Sequence, residues 1–289
     1  MNPVISDAHV HFFSPAFFRS LAAQKKVPEV GSLLGWDVPD SAEALADRWV
    51  AEMDRSNVAQ AMLIASVPGD TASVNAAVAR YPARFSAVSM VNPLLPDAAE
   101  NVPAGVFLFP AMHHYSLHDG RARAVIARAK LVYVHCGVLS VGFRRKLGLP
   151  SFFDMRYSNP IDLHAIALEC PDIRFVIPHF GAGYFREALM VADLCPNVYL
   201  DTSSSNSWMK YQPAKMTLAD VFRRTLDVIG PERILFGSDS SWFPRGWVHA
   251  VYEAQVEALG KAGASSEMEQ AILGGNLRAL IAFCFGQNS

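Results

Sequence analysis

The sequence predicts an α/β protein in which eight parallel strands close into a (β/α)8 TIM barrel, distorted by an abbreviated third βα unit. Three observations carry that expectation. Eight short β-rich runs recur along the 289 residues, most of them continuously apolar, as strands covered on both faces must be. Helical patterns separate the runs, and such alternation gives either a doubly wound sheet or a closed barrel. Eight units favour the barrel, for which 289 residues is an ordinary length.

The first run is VISDAH (4–9). A helix over 42–55 follows, with Ser41 placed to cap it and Ala44, Leu45, Trp49 and Met53 at roughly helical spacing. QAMLIAS (60–66) and FSAVSMV (85–91) are the second and third strands. The three prolines of NPLLPDAAENVPA (92–104) leave room for at most a short helix. GVFLFP (105–110) and LVYVHC (131–136) come next. Asn159 and Pro160 read as N-cap and first position of a helix ending near Cys170, before IRFVIPH (173–179). A helix over Tyr184–Leu194 leads to NVYLD (197–201), and one over Thr217–Ile229, stopped by Gly230-Pro231, to RILFGSD (233–239). No linker, repeat or low-complexity tract divides the chain, so residues 1–289 are expected to form one domain. The connections after the first, fifth, seventh and eighth strands are long, and long loops on a barrel build its active face.

Hydrophobic residues make up 51% and charged residues 18%, a balance that suits a large core and disfavours disorder. With 25 basic and 27 acidic residues the formal charge is -2, and nothing points to nucleic acid. The one short basic cluster, Arg144-Arg145-Lys146, reads as a solvated loop. Cys136, Cys170, Cys195 and Cys284 show no CxxC spacing and fit a reducing compartment. The opening MNPVISDAHV has no basic segment ahead of an apolar stretch, and no apolar run approaches the ~18–20 residues that span a bilayer. The expectation is a cytoplasmic protein that meets a small-molecule substrate and no membrane. Its exposed helices leave room for a homo-oligomer, though no heptad marks an interface.

Polar residues stand where the strands should be apolar. Alternation puts His9 and His11 on one face, with Asp7 beneath them. His135 closes the fifth strand, His179 the sixth and Asp239 the eighth. In a parallel barrel these ends converge on one mouth. Imidazole and carboxylate suit Zn²⁺, at ligand distances of about 2.0–2.2 Å, and a catalytic site keeps a position open for water or substrate. An HxH pair alone is a frequent accident; strand-end polar groups in register on four strands are not. His113, His114 and His118 follow the fourth strand and are read as neighbours of the mouth, His164 and His249 as helix residues.

DAHVHFF, VHCG, PHFGAGYF, NVYLDTS and RILFGSD, in that order, resemble the amidohydrolase superfamily, and within it the amidohydrolase-2 group that includes aminocarboxymuconate-semialdehyde decarboxylase. GGNLRAL (274–280) resembles the group's closing helix, so the likeness spans almost the whole chain. The resemblance implies that His9, His11, His135 and Asp239 hold a divalent metal. It further implies that His179 and Asp239 carry protons to and from water or substrate, with Asp7 as a support behind the ligands. Relatives often have GVKLHP at the fourth strand. Here GVFLFP puts Phe107 and Phe109 in place of lysine and histidine, and the lysine or glutamate that bridges two ions in binuclear members is missing from this segment. One ion is expected, Zn²⁺ by ligand type, with Mn²⁺, Fe²⁺, Co²⁺ or Ni²⁺ satisfying similar ligands.

The expected activity is hydrolysis of a small carbonyl-containing ester, lactone or amide by metal-activated water. The alternatives are non-oxidative decarboxylation of an aromatic or unsaturated acid at the same site and, more remotely, a ligand-binding barrel without chemistry. Arg144, Arg156, Arg186 and Arg245 are candidate contacts for anionic groups. Phe180, Tyr184, Trp208 and Trp242 are candidate ring-stacking walls. SSSNSW (203–208) offers hydroxyls and an amide to a substrate, or caps a helix.

Overall fold

The eight apolar runs pair in chain order into one sheet, every neighbouring pair parallel. The computed structural model describes residues 4–286, so the first three positions of MNPVISDAHV lie outside it. The strands are β1 (Ile5–Phe12), β2 (Val58–Ala65), β3 (Phe85–Val91), β4 (Gly105–Leu108), β5 (Leu131–Val134), β6 (Arg174–Ile177), β7 (Val198–Asp201) and β8 (Ile234–Leu235). Beyond the short β8 the chain runs on beside β1. Ala8 N donates to Phe236 O at 2.8 Å, His11 N to Ser240 O at 2.7 Å and Asp239 N to His9 O at 3.0 Å, and these bonds close the ring. The fold is a TIM barrel.

Alternation along the strands divides the interior in two. Met62, Ile64, Phe107, Tyr133, Val176 and Leu235 face inward and fill the barrel. Leu63, Val106, Leu108, Val132, Phe175 and Leu200 face outward and pack under the helices. Those helices include α1 (Pro15–Lys25), α2 (Ala42–Arg55), α3 (Phe185–Leu194), α4 (Leu218–Ile229), α5 (His249–Ala262) and α6 (Asn276–Phe285). Ser41 caps α2 by accepting from Ala44 N, and Thr217 and Asp220 form a capping box on α4. Leu277, Leu280, Ile281 and Cys284 of α6 join the inner core and plug the end of the barrel opposite the mouth. Between β3 and β4 there are only turns, so the third unit is abbreviated. Asn159 Oδ1 accepts from Ile161 N to start a tight 3₁₀ turn at Pro160, which runs into a helix over His164–Glu169.

The strands β4, β5, β6 and β8 end earlier than their apolar runs suggest, at Leu108, Val134, Ile177 and Leu235. Just past β5, His135 N still donates to Leu108 O at 2.9 Å, whereas after β6 and at the end of RILFGSD the chain turns. His179 and Asp239 turn through left-handed backbone, φ 57° and 60°. That conformation costs a non-glycine residue about 1–2 kcal/mol, and such strain collects at functional sites.

Candidate metal centre

On β1 the even alternation breaks. Three steps from Asp7 to Val10 face two from Ala61 to Leu63 on β2, a one-residue bulge. Asp7 therefore does not lie beneath the histidines as strict alternation requires. Its Oδ1 accepts from His9 N and Ser238 N, both at 3.0 Å, and its Oδ2 from Trp247 Nε1 at 2.7 Å and from the Ser238 hydroxyl. None of these bonds reaches an imidazole. Asp7 supports the centre through the backbone, tying β1 to the segment after β8. Burial pushes its carboxyl up to about 6, against four hydrogen bonds that favour the carboxylate.

His9 is fully buried, with Nδ1 2.7 Å from Asp201 Oδ2 and Nε2 without a hydrogen-bond partner. His11 Nδ1 lies 2.9 Å from Ser66 Oγ, which gives its own hydrogen to Ile64 O, so the imidazole is the donor there. His179 Nδ1 lies 2.8 Å from Ser203 Oγ, which donates to Asp201 Oδ1. Each ring is thus held as the Nδ1–H tautomer, and its Nε2 lone pair is left for the centre. His135 follows β5, stacked on Phe109 with centroids 5.2 Å apart and edge-on to His179 at 5.3 Å. Its Nε2 is also buried and unpartnered, and burial holds the ring well below its usual pKa, hence neutral.

Asp239 completes the group. Its Oδ1 stands 3.3 Å from His11 Nε2 and 3.6 Å from His9 Nε2, with 32% of the side chain exposed. Burial opposes its charge, but the imidazoles of His11, His179 and His9 beside it hold it well below the usual carboxylate range. Ligand atoms of His9, His11 and Asp239 all lie within 4.8 Å of one another, as do those of His9, His179 and Asp201. The second trio shares the His9–Asp201 hydrogen bond. His135 stands outside both but lines the same cavity. Buried imidazole lone pairs with no protein partner carry a desolvation cost that a cation removes, and a donor set of imidazoles plus one carboxylate fits a divalent ion of the Zn²⁺ type.

Two glycines let the strand ends close in. A Cβ on Gly237 would stand 2.8 Å from Ser203 Cβ and 3.0 Å from His9 Cβ. One on Gly137, at φ 75°, would stand 2.3 Å from the carbonyl oxygens of Gly181 and Ala182, beside the turn that carries His179.

Asp201 and Ser203 hold His9 and His179 in place, and sequence reasoning missed both roles. The signal was present in NVYLD, whose aspartate ends a strand in step with the other polar strand ends. The remaining candidates divide. Arg245, Arg144 and Lys146 line the cavity, so the basic triplet is not simply a solvated loop. Trp242 packs edge-on to Trp49 at 5.5 Å, in a neighbouring hollow. Trp208 is buried, its Nε1 donating to Asn206 Oδ1 at 2.9 Å, and Tyr184 sits at the start of α3; neither lines the cavity. Arg156, 81% exposed, pairs with Asp154, and Arg186 pairs with Glu187. Phe180, turned by its φ of 52°, packs on Phe185 and Phe222 in the outer core. His113 and His114 line the cavity, whereas His249 bonds Ser56 far from it. The cavity measures about 810 Å³, and Phe13, Phe17, Trp36, Phe109, Phe143 and Phe243 give it aromatic walls.

A barrel with imidazoles and a carboxylate converging at its mouth defines a class of metal-dependent enzymes. The amidohydrolase family model Amidohydro_2 matches residues 7–283, and the chain belongs to that family. Protein fluG of Emericella nidulans is 30% identical over 87 residues, covering 30% of this chain and 10% of that much longer protein. Among solved structures, 5-carboxyvanillate decarboxylase from Sphingomonas paucimobilis superposes with a TM-score of 0.63 at 14% identity, over 96% of this chain and 98% of its own. An amidohydrolase from Burkholderia multivorans with bound zinc gives 0.61 at 16% identity, over 99% and 100%. At such identities the likeness is one of fold. No helix among the described residues is long and apolar enough to cross a membrane.

Proposed function

We propose that the protein is a mononuclear metal-dependent hydrolase acting on a small carbonyl-containing metabolite, an ester, lactone or amide. His9, His11, His135 and Asp239 would hold the ion. A divalent ion bound there supplies Lewis acidity and lowers the pKa of water from 15.7 towards about 7.

The observation that carries hydrolysis is the Asp239 carboxylate. Its contacts to His9 and His11 run through Oδ1, its Oδ2 makes no hydrogen bond among the described residues, and the group lies on the wall of a cavity open to solvent. A carboxylate so placed can take a proton from an entering water. Asp239 would return that proton to the leaving group, while His179, its Nδ1–H held by Ser203, offers its Nε2 lone pair as a hydrogen-bond acceptor to the water. Asp201 keeps His9 in its tautomer throughout. We also infer a reducing, cytoplasmic setting from the four thiols, all unpaired.

The aromatic walls favour a second reading, decarboxylation of an aromatic or unsaturated acid at the same residues. Metal-loaded enzyme is to be assayed against lactones, esters and amides beside aromatic and muconate-type acids, in ¹⁸O-labelled water. Hydrolysis is expected to place ¹⁸O in the product acid. CO₂ release without label in the product would overturn it. Asp239→Ala is expected to lose bound metal or turnover in the same assay.

A further inference from the structure

Three of the four imidazoles at the centre are fixed through Nδ1. His9 bonds Asp201, His11 bonds Ser66 and His179 bonds Ser203. His135 is the exception: among the described residues its ring takes part in no hydrogen bond. The last side-chain torsion of a histidine is a soft one, so a ring without such a bond must be held by something else.

What touches it is another ring. Phe107 stands opposite Tyr133 and Leu108 opposite Val134 where β4 pairs with β5, and the bond from His135 N to Leu108 O carries that pairing one step on. Phe109 therefore comes beside His135 on the inward face. Their rings lie 5.2 Å apart with 19° between the planes, and Phe109 stacks in turn on Phe107 at 4.4 Å and 19°. Three nearly parallel rings form a column. At its foot Phe107 meets His9 edge-on at 5.6 Å and Tyr133 at 5.4 Å, and the Tyr133 hydroxyl donates to Ala8 O at 3.0 Å, in the bulge just before His9. Phe107 and Tyr133 are fully buried and Phe109 nearly so, so in a close-packed interior the middle ring cannot tilt without pushing a neighbour.

From this column we infer that Phe109 is the positioning residue of His135: its ring, braced by Phe107, holds the imidazole in the plane from which Nε2 reaches the ion, the part that a hydrogen bond plays for the other three imidazoles. The inference rests on the reading of His135 as a ligand, made above. His179, edge-on to His135 at 5.3 Å, closes the other side of the ring and leaves its stacked face to Phe109 alone among the described aromatic residues. Phe109 also lines the cavity, and measurements made without substrate separate its effect on the centre from any contact with one.

The test uses Zn²⁺ affinity, read by competition with a chelating dye, and the visible spectrum of the Co²⁺-loaded protein, which reports ligand number and geometry. Phe109→Leu keeps an apolar side chain but removes the ring plane. It is expected to weaken Zn²⁺ binding about two- to tenfold, the usual worth of one aromatic pair, and to alter the Co²⁺ bands. Phe109→Tyr keeps the plane and is expected to restore both. Phe109→Met takes the place of Phe109→Leu if that variant does not fold. His135→Ala, measured alongside, is expected to lose more affinity than either. Unchanged affinity and spectrum in Phe109→Leu, with both altered in His135→Ala, would overturn the stack and leave His135 a ligand. No change in His135→Ala would overturn the ligand reading and the stack together. A loss in Phe109→Leu that Phe109→Tyr does not repair would also overturn the inference, because the ring plane would then not be what matters.

Discussion

Asp201 shows how a single carboxylate can set the chemistry of two histidines. Oδ2 takes the His9 Nδ1–H, while Oδ1 accepts from His179 N at 3.1 Å, from Ser203 N at 2.8 Å and from the Ser203 hydroxyl. An amide cannot replace it, because whichever way the group turns its NH₂ meets donors. Asp201→Asn is therefore expected to leave the barrel folded and to weaken metal binding by about 10–100-fold, the usual cost of losing such a partner. Competition against a chelating dye measures this, and an affinity equal to the unaltered protein's would take Asp201 out of the centre's support. His9, His11, His135, His179 and Asp239 were legible in the sequence because each interrupts an apolar run. Asp201 interrupts one too, but its bond reaches a residue 192 positions away, and no local spacing shows that. Tyr184 and Trp208 were misleading in the opposite sense. An aromatic in a loop after a strand looks like a cavity wall, yet their places were decided by α3 and by a bond within the loop, which are tertiary facts.

At the scale of elements, the order and type of strands and helices could be read from apolar runs and capping residues, as at Ser41 and Thr217. The strand ends could not. An apolar run such as RILFGSD gives no sign that pairing stops at Leu235, and the bulge on β1 leaves no mark in ISDAHVHF beyond its polar residues. Glycine was the available clue at β8. Gly237, just past β8, lies against Ser203 after β7 and His9 on β1, and a methyl group there must displace one of them. Gly237→Ala is expected to cost about 1–3 kcal/mol, as overpacking does. Because the displaced groups are those of the centre, metal affinity is expected to fall with it. Urea unfolding and metal titration on the same variant check both, and a stable variant with unchanged affinity would show that the approach is not tight.

For the whole molecule, the centre and the fold are linked. Buried imidazole nitrogens of His9 and His135 face the inside of the mouth without partners, so an ion that binds the native state and not the unfolded chain adds to stability. At a free concentration a hundredfold above its Kd, the ion contributes about 2.7 kcal/mol. Chelation is expected to lower the melting temperature accordingly, and Asp239→Ala to show a smaller or no shift between loaded and stripped protein. Equal melting curves before and after removal of a demonstrably bound ion would mean that the residues are as well off without it.

The closure of the barrel beside β1 has a consequence in time as well as space. Asp7 and Ser238 bond across 231 positions of chain, and the amides of His11 and Asp239 are paired in the same seam. During synthesis the two histidines of the first strand leave the ribosome long before the aspartate they will meet. Until that late segment arrives, the nascent chain carries an open strand edge and half a set of ligands. Pairings so distant in sequence are the slow ones to form. The capacity to bind the ion therefore arises late, as the ring joins itself, and its first appearance would mark a finished barrel.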